Sequence, residues 1–89
     1  MKITQEYESV YDVGDFVAFK KDGLIYVGRI VGFNIDDRNF WYNIQVNKYT
    51  VFSYANGGDV AEWDIVFKLN EEQYEILKEE LEWKNQRII

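Results

Sequence analysis

Cysteine, histidine and proline are all missing from the 89 residues of this chain. Without cysteine there is no disulfide and no thiolate, and without histidine the imidazole base and the commonest zinc ligand are gone. Ser9 and Ser53 therefore have no imidazole to activate them, and nucleophilic catalysis has no visible machinery. Gly57-Gly58 lacks the following helix, and the Lys and Ser/Thr, that a phosphate loop requires. No cofactor and no metal is expected. The start, Met1-Lys2-Ile3-Thr4-Gln5-Glu6, has no apolar leader core, and no apolar run is long enough to span a bilayer. A soluble, cytoplasmic chain with no membrane partner follows as the expectation. With no repeat, linker or low-complexity stretch, residues 1–89 read as one domain.

What the chain has in abundance is rings. Sixteen Phe, Tyr and Trp residues, 18% of the total, supply the large buried areas that a domain of this size needs to make a core. The net charge is −6, which argues against nonspecific phosphate binding, because that affinity comes from Lys and Arg releasing counterions. The charge is unevenly spread: residues 1–15 carry −3, residues 16–58 carry +2 and the remainder carries −5. A mildly basic sheet followed by an acidic helix is the pattern.

Along the chain, Phe16 to Lys20 reads as a strand closed by Lys21-Asp22-Gly23, a strong hairpin cue because primed turns need positive φ. Leu24 to Phe33 reads as a long second strand. Gly28 and Gly32 fall on one face of it, where missing side chains permit a bend. After a polar turn at 34–39, Phe40, Tyr42, Ile44 and Val46 alternate with Trp41, Asn43, Gln45 and Asn47. That is the period of a strand with one buried and one wet face, so Trp41 is predicted to be exposed. A tight turn at Asn47-Lys48 leads to a strand over Tyr49–Tyr54, then a loop at 55–59. In the last strand Ala61, Trp63, Ile65, Phe67 and Leu69 share a face.

Asn70 is a favoured N-cap, Gln73 completes a capping-box spacing, and Glu71 and Glu72 suit the positive end of a helix dipole. A helix over 70–86 follows, with Tyr74, Leu77 and Leu81 as its docking stripe and Ile88 in line with them. Ile76 and Trp83 form a second stripe on the far side. Either the N-terminal residues Ile3, Tyr7 or Val10 cover it, or a protein partner or second copy does. Mainly β, with five strands in a small SH3-like barrel over 13–69 and a C-terminal helix, is the fold these elements predict.

The run Val17-Ala18-Phe19-Lys20-Lys21-Asp22-Gly23-Leu24-Ile25-Tyr26-Val27-Gly28-Arg29-Ile30 resembles the first hairpin of Tudor domains, especially the survival-motor-neuron type. Tyr54-Ala55-Asn56 is similar to that family's Tyr-Gly-Asn, and the likeness covers about residues 13–69. The resemblance implies an aromatic cage for a methylated arginine or lysine. Its walls would be Phe19, Tyr26 and Tyr54, with Asn56 as the hydrogen-bonding side chain. Phe19 stands where the family has Trp, and Val51 where it has a further aromatic. The plainer reading is that these rings fill the core.

Trp41, Ile76 and Trp83 are the candidate partner-binding residues, Trp being the type most enriched at interface hot spots. No spacing among the carboxylates singles out an acid and a base. The function expected is a non-catalytic protein-interaction module. The alternative is a small acidic viral or mobile-element protein that inhibits a host factor, by mimicking nucleic-acid phosphates with Glu72, Glu75, Glu79 and Glu82 or by sequestering a ligand.

Overall fold

The computed structural model describes residues 10–88, with side chains as far as Leu81. Six strands and one long helix follow in order: β1 (Phe16–Lys21), β2 (Leu24–Asp36), β3 (Asn39–Gln45), β4 (Val51–Phe52), β5 (Val60–Ala61), β6 (Ile65–Leu69) and α1 (Glu71–Ile88). Short 3₁₀ turns occupy Tyr54–Asn56 and Glu62–Asp64. The strands form one antiparallel sheet in the order β4-β3-β2-β1-β6, and β5 pairs with the same edge of β3 as β4 does. The ladder does not close on itself among the described residues, so the architecture is mainly β with a C-terminal helix and an open sheet.

Turn chemistry sets the registers. Asp22 and Gly23 both take positive φ (53° and 79°) between the paired Lys21 and Leu24, the two-residue primed turn that the sequence predicts. Asp37 and Arg38 do the same (51° and 66°) between Asp36 and Asn39. The second strand therefore runs to Asp36 instead of ending at Phe33, and the expected loop at 34–39 shrinks to a two-residue turn. A bulge at Val31 shifts the pairing from Ile30↔Ile44 to Gly32↔Asn43. Across it the alternation flips: Gly28 sits on the inner face with Ile30, whereas Gly32 faces outward beside Asn43. The two glycines do not share a face, and the bend belongs to the bulge. At Gly28 a Cβ would lie 2.6 Å from both the Gln45 carbonyl oxygen and Ile44 Cγ2, so only glycine allows this approach of β2 to β3.

The inner face carries the larger core: Val17, Phe19, Ile30, Phe40, Tyr42, Ile44, Val46, Val60 and Ile65. Phe40, Tyr42, Ile44 and Val46 are buried as the alternation requires; Asn43 and Gln45 are half-buried and Asn47 is exposed. The outer face of β1, β2 and β6 carries a second core of Ala18, Val27 and Leu69, capped by Tyr74 with Leu77 and Leu81 beside it. The helix thus lies across the outer face and not on an open end or edge of a barrel. The small Ala18 leaves room for it, and Tyr74 stacks on Phe16 with centroids 4.5 Å apart. Asn70 starts α1 as expected: its Oδ1 accepts the Gln73 N–H at 2.8 Å, and Gln73 Oε1 accepts the Asn70 N–H at 3.0 Å.

Two strand readings are corrected. Asn47 Oδ1 accepts the N–H groups of Tyr49 and Thr50, so the turn extends over 47–50 and β4 keeps only Val51 and Phe52 of the expected 49–54. The last strand is broken by the 3₁₀ turn at 62–64, which leaves Trp63 65% exposed. A register shift against β1 keeps Ile65 in the inner core while Phe67 and Leu69 stand on the outer face, so Ala61, Trp63, Ile65, Phe67 and Leu69 do not share a face.

Candidate functional site

The cross-strand pair Phe19↔Tyr26 brings two of the four resemblance-derived residues together, their rings stacked at 5.7 Å and 24°. The third ring is Phe52, edge-on to Phe19 at 5.6 Å and to Tyr26 at 5.0 Å. Phe52 pairs with Ile44 and so points inward, whereas Val51 pairs with Gln45 on the outer face. Phe19 is fully buried, and only Tyr26 and Phe52 reach an opening, a cleft of about 230 Å³ shared with Val46, Thr50 and Leu81.

Tyr54 takes no part in the three-ring contact and is 67% exposed. Asn56 is occupied in its own loop: Nδ2 donates to the Val51 carbonyl at 2.8 Å, and Oδ1 accepts from Ser53 and Gly58. These bonds, with Gly57 in the left-handed region at φ 72°, fold residues 51–58 into a fixed loop. The Tyr54 N–H donates to Asn43 Oδ1 at 3.0 Å, tying that loop to the outer face of β3. The structure therefore joins Phe19 and Tyr26 to Phe52, and holds Tyr54 and Asn56 apart from them.

A second aromatic group lies at Trp41. Its side chain leaves β3 on the face opposite Phe40 and Tyr42, as predicted, but it is only half-exposed because Trp63 leans against it edge-on at 5.4 Å and 74°. The Trp41 indole N–H is buried and has no hydrogen-bond partner among the described residues. An N–H removed from water and left unpaired costs on the order of 1–3 kcal/mol. Trp63 was not singled out as a site residue by sequence reasoning, because the period-2 pattern of residues 61–69 continues through it. The signal that could have found it is the Glu62-Trp63-Asp64 triplet: a ring between two carboxylates sits poorly in a core strand.

Ile76 is 54% exposed on α1, on the side away from Tyr74, Leu77 and Leu81. Its proposed companion Trp83 lies outside the described side chains, as do Glu82 and Ile88; Ile3 and Tyr7 also lie outside the described residues. Val10 is 72% exposed, and its N–H donates to Glu62 Oε1 at 3.2 Å.

Among the described residues no carboxylate is buried, and no three of Asp and Glu gather as a metal site would require. Glu62 comes nearest to a placed carboxylate, accepting from Val10 and from the Tyr42 hydroxyl at 3.2 Å. Burial, and secondarily the charge of Glu62, push the Tyr11 hydroxyl above its ordinary pKa. No described helix is long and apolar enough to cross a membrane. No family model matches the chain, and no curated protein or solved structure matches it either.

Proposed function

We propose that the chain is a non-catalytic protein-interaction module on a Tudor-like variant of the SH3-like barrel. The strand order supports the barrel: β5 pairs with β3, β6 pairs with β1, and the 3₁₀ turn at 62–64 carries the chain between them, bridging the two edges of the sheet. The observation that carries the function is the Trp63 indole, 65% exposed and propped on Trp41, whose own N–H is buried with no partner among the described residues. Ring area held at the surface is normally a liability. Its burial by a partner would contribute on the order of 2 kcal/mol. Trp63 and Trp41 are the anchor in this reading, and the exposed Tyr54 belongs to the same outer side through its tie to Asn43.

The test is a photoreactive phenylalanine analogue at position 64, beside the intact Trp63 in the same turn, cross-linked in the source cells. A single cross-linked protein, displaced by excess wild-type chain but not by Trp63→Ala chain, is the expected result. Equal displacement by both would overturn the assignment. Acidic mimicry remains the second reading, supported by the exposed Glu72, Glu75 and Glu79 of α1. A cross-link that is lost on Trp63→Ala competition but survives Glu72→Gln, Glu75→Gln, Glu79→Gln competition would select it.

A further inference from the structure

Of the seven Lys and Arg whose side chains are described (Lys20, Lys21, Arg29, Arg38, Lys48, Lys68 and Lys78), three meet in one place. Arg29, Lys48 and Lys78 line a single cleft of about 280 Å³ between α1 and the outer face of the sheet. The ion pair that the described residues make is Lys68 with Asp15 at 3.5 Å, and none of the three forms one. Glu75 also lines the cleft without pairing with any of them.

Three strands, one turn and the helix build this place. In register, Phe16 lies opposite Arg29 and Arg29 opposite Gln45, so their side chains leave β1, β2 and β3 as one row on the outer face. The 47–50 turn adds Asn47 and Lys48, and α1 lays Tyr74 and Lys78 above the row. Lys78 is half-buried, its Nζ 5.8 Å from the centroid of the Tyr74 ring, which is itself fixed by stacking on Phe16. Asn47 Oδ1 is taken by Tyr49 and Thr50, which fixes its amide and leaves Nδ2 as a donor. The Gln45 side-chain amide forms no hydrogen bond among the described residues. Donors dominate: a guanidinium fork, two ammonium groups and two amides, set on a floor partly made of aromatic edges.

We propose that this cleft binds a phosphate monoester. A planar fork flanked by point charges suits a tetrahedral dianion, which accepts several N–H bonds at once. At about 280 Å³ the space lies just below the usual range for small-molecule sites, which favours a phosphate with one small group over a nucleotide. The strand register, the hydrogen-bonded Asn47 turn and the stacked Phe16–Tyr74 pair fix the backbone from which these side chains reach the cleft. The site is separate from Trp41 and Trp63 and stands whether or not those rings are an anchor.

The experiment is an NMR titration of the full ¹⁵N-labelled chain with phenyl phosphate and with a phosphoserine peptide, at fixed ionic strength. Saturable shifts of the Arg29 side-chain Nε–H and of the Gln45 and Asn47 amide groups are expected. Arg29→Gln and Lys78→Gln should each weaken binding about tenfold, the worth of a charge-assisted bond. Lys20→Gln with Lys21→Gln should leave it unchanged. Both ligands serve the site, and the tighter one names the source of the ester. Shifts that stay linear in ligand, or an equal loss in the Lys20, Lys21 variant, would overturn the proposal. So would a single-stranded oligonucleotide that moves the same resonances at lower phosphate concentration than either monoester.

Discussion

The hydroxyl of Tyr42 donates to Glu62 Oε1 across 3.2 Å, joining the most central ring of the inner core to the turn that links β5 with β6. The same oxygen accepts the Val10 N–H, and Tyr11 packs edge-on to Tyr42 at 5.8 Å. One carboxylate thus ties the incoming chain to the core. Glu62→Ala should cost about 1–3 kcal/mol, because Tyr42 is fully buried and its hydroxyl would lose this acceptor. Tyr42→Phe removes donor and need together and should cost about 1 kcal/mol. Chemical denaturation of both single variants and the double checks this: additive losses would separate the two groups, whereas the expected double loss is smaller than the sum.

The raised Tyr11 pKa makes stability depend on alkali. A tyrosine whose folded pKa lies above its unfolded value, near 10, stabilises the fold fully below that value and loses the contribution as pH rises toward the folded pKa. The denaturation midpoint in urea should therefore fall from pH 9 upward through about 10 and beyond. Tyr11→Phe should flatten that part of the profile while leaving the neutral-pH arm in place. Burial is the larger cause and Glu62 the smaller, so Glu62→Gln should reduce the slope without abolishing it.

Gly28 gives a sharper steric prediction. With a backbone oxygen and Ile44 Cγ2 each 2.6 Å from its missing Cβ, Gly28→Ala must push β2 away from β3 or displace a core side chain. A loss of about 2 kcal/mol or more is expected, against near neutrality for Gly32→Ala, whose nearest neighbour is the movable Asn43 amide at 3.3 Å. Thermal melts of the two variants, side by side, check it.

Sequence patterning made some of this architecture legible and left the rest hidden for identifiable reasons. The Asp22-Gly23 turn could be read because glycine advertises positive φ, whereas Asp37-Arg38 adopts the same geometry with a residue that gives no such cue. The alternation of Phe40 to Val46 reports burial directly. In β2, the bulge at Val31 reverses faces without any mark in composition. The capping box at Asn70 and the stripe of Tyr74, Leu77 and Leu81 are local chemistry and emerged intact. The aromatic group around Phe19 could be foreseen only in part, because its third ring depends on the register of the two-residue β4, which puts Phe52 and not position 51 inward. The cleft of Arg29, Lys48 and Lys78 joins three distant segments, and no spacing along the chain announces it.

The two sides of α1 should respond oppositely to substitution. Tyr74 is 8% exposed and stacked on Phe16, so Tyr74→Ala opens a cavity in the outer core and should cost about 3–5 kcal/mol. Ile76, 54% exposed on the far side, should tolerate Ile76→Glu within about 0.5 kcal/mol in the isolated chain. A second copy docking on that side would change the outcome: Ile76→Glu would then lower the apparent mass in sedimentation while leaving the melting temperature of dilute chain unchanged. If instead Ile76→Glu lowers stability at every concentration with no change of mass, the residue is covered from within the chain and the homodimer reading fails. Sedimentation of wild type and Ile76→Glu across a hundredfold range of concentration separates the two, because only an intermolecular contact depends on concentration.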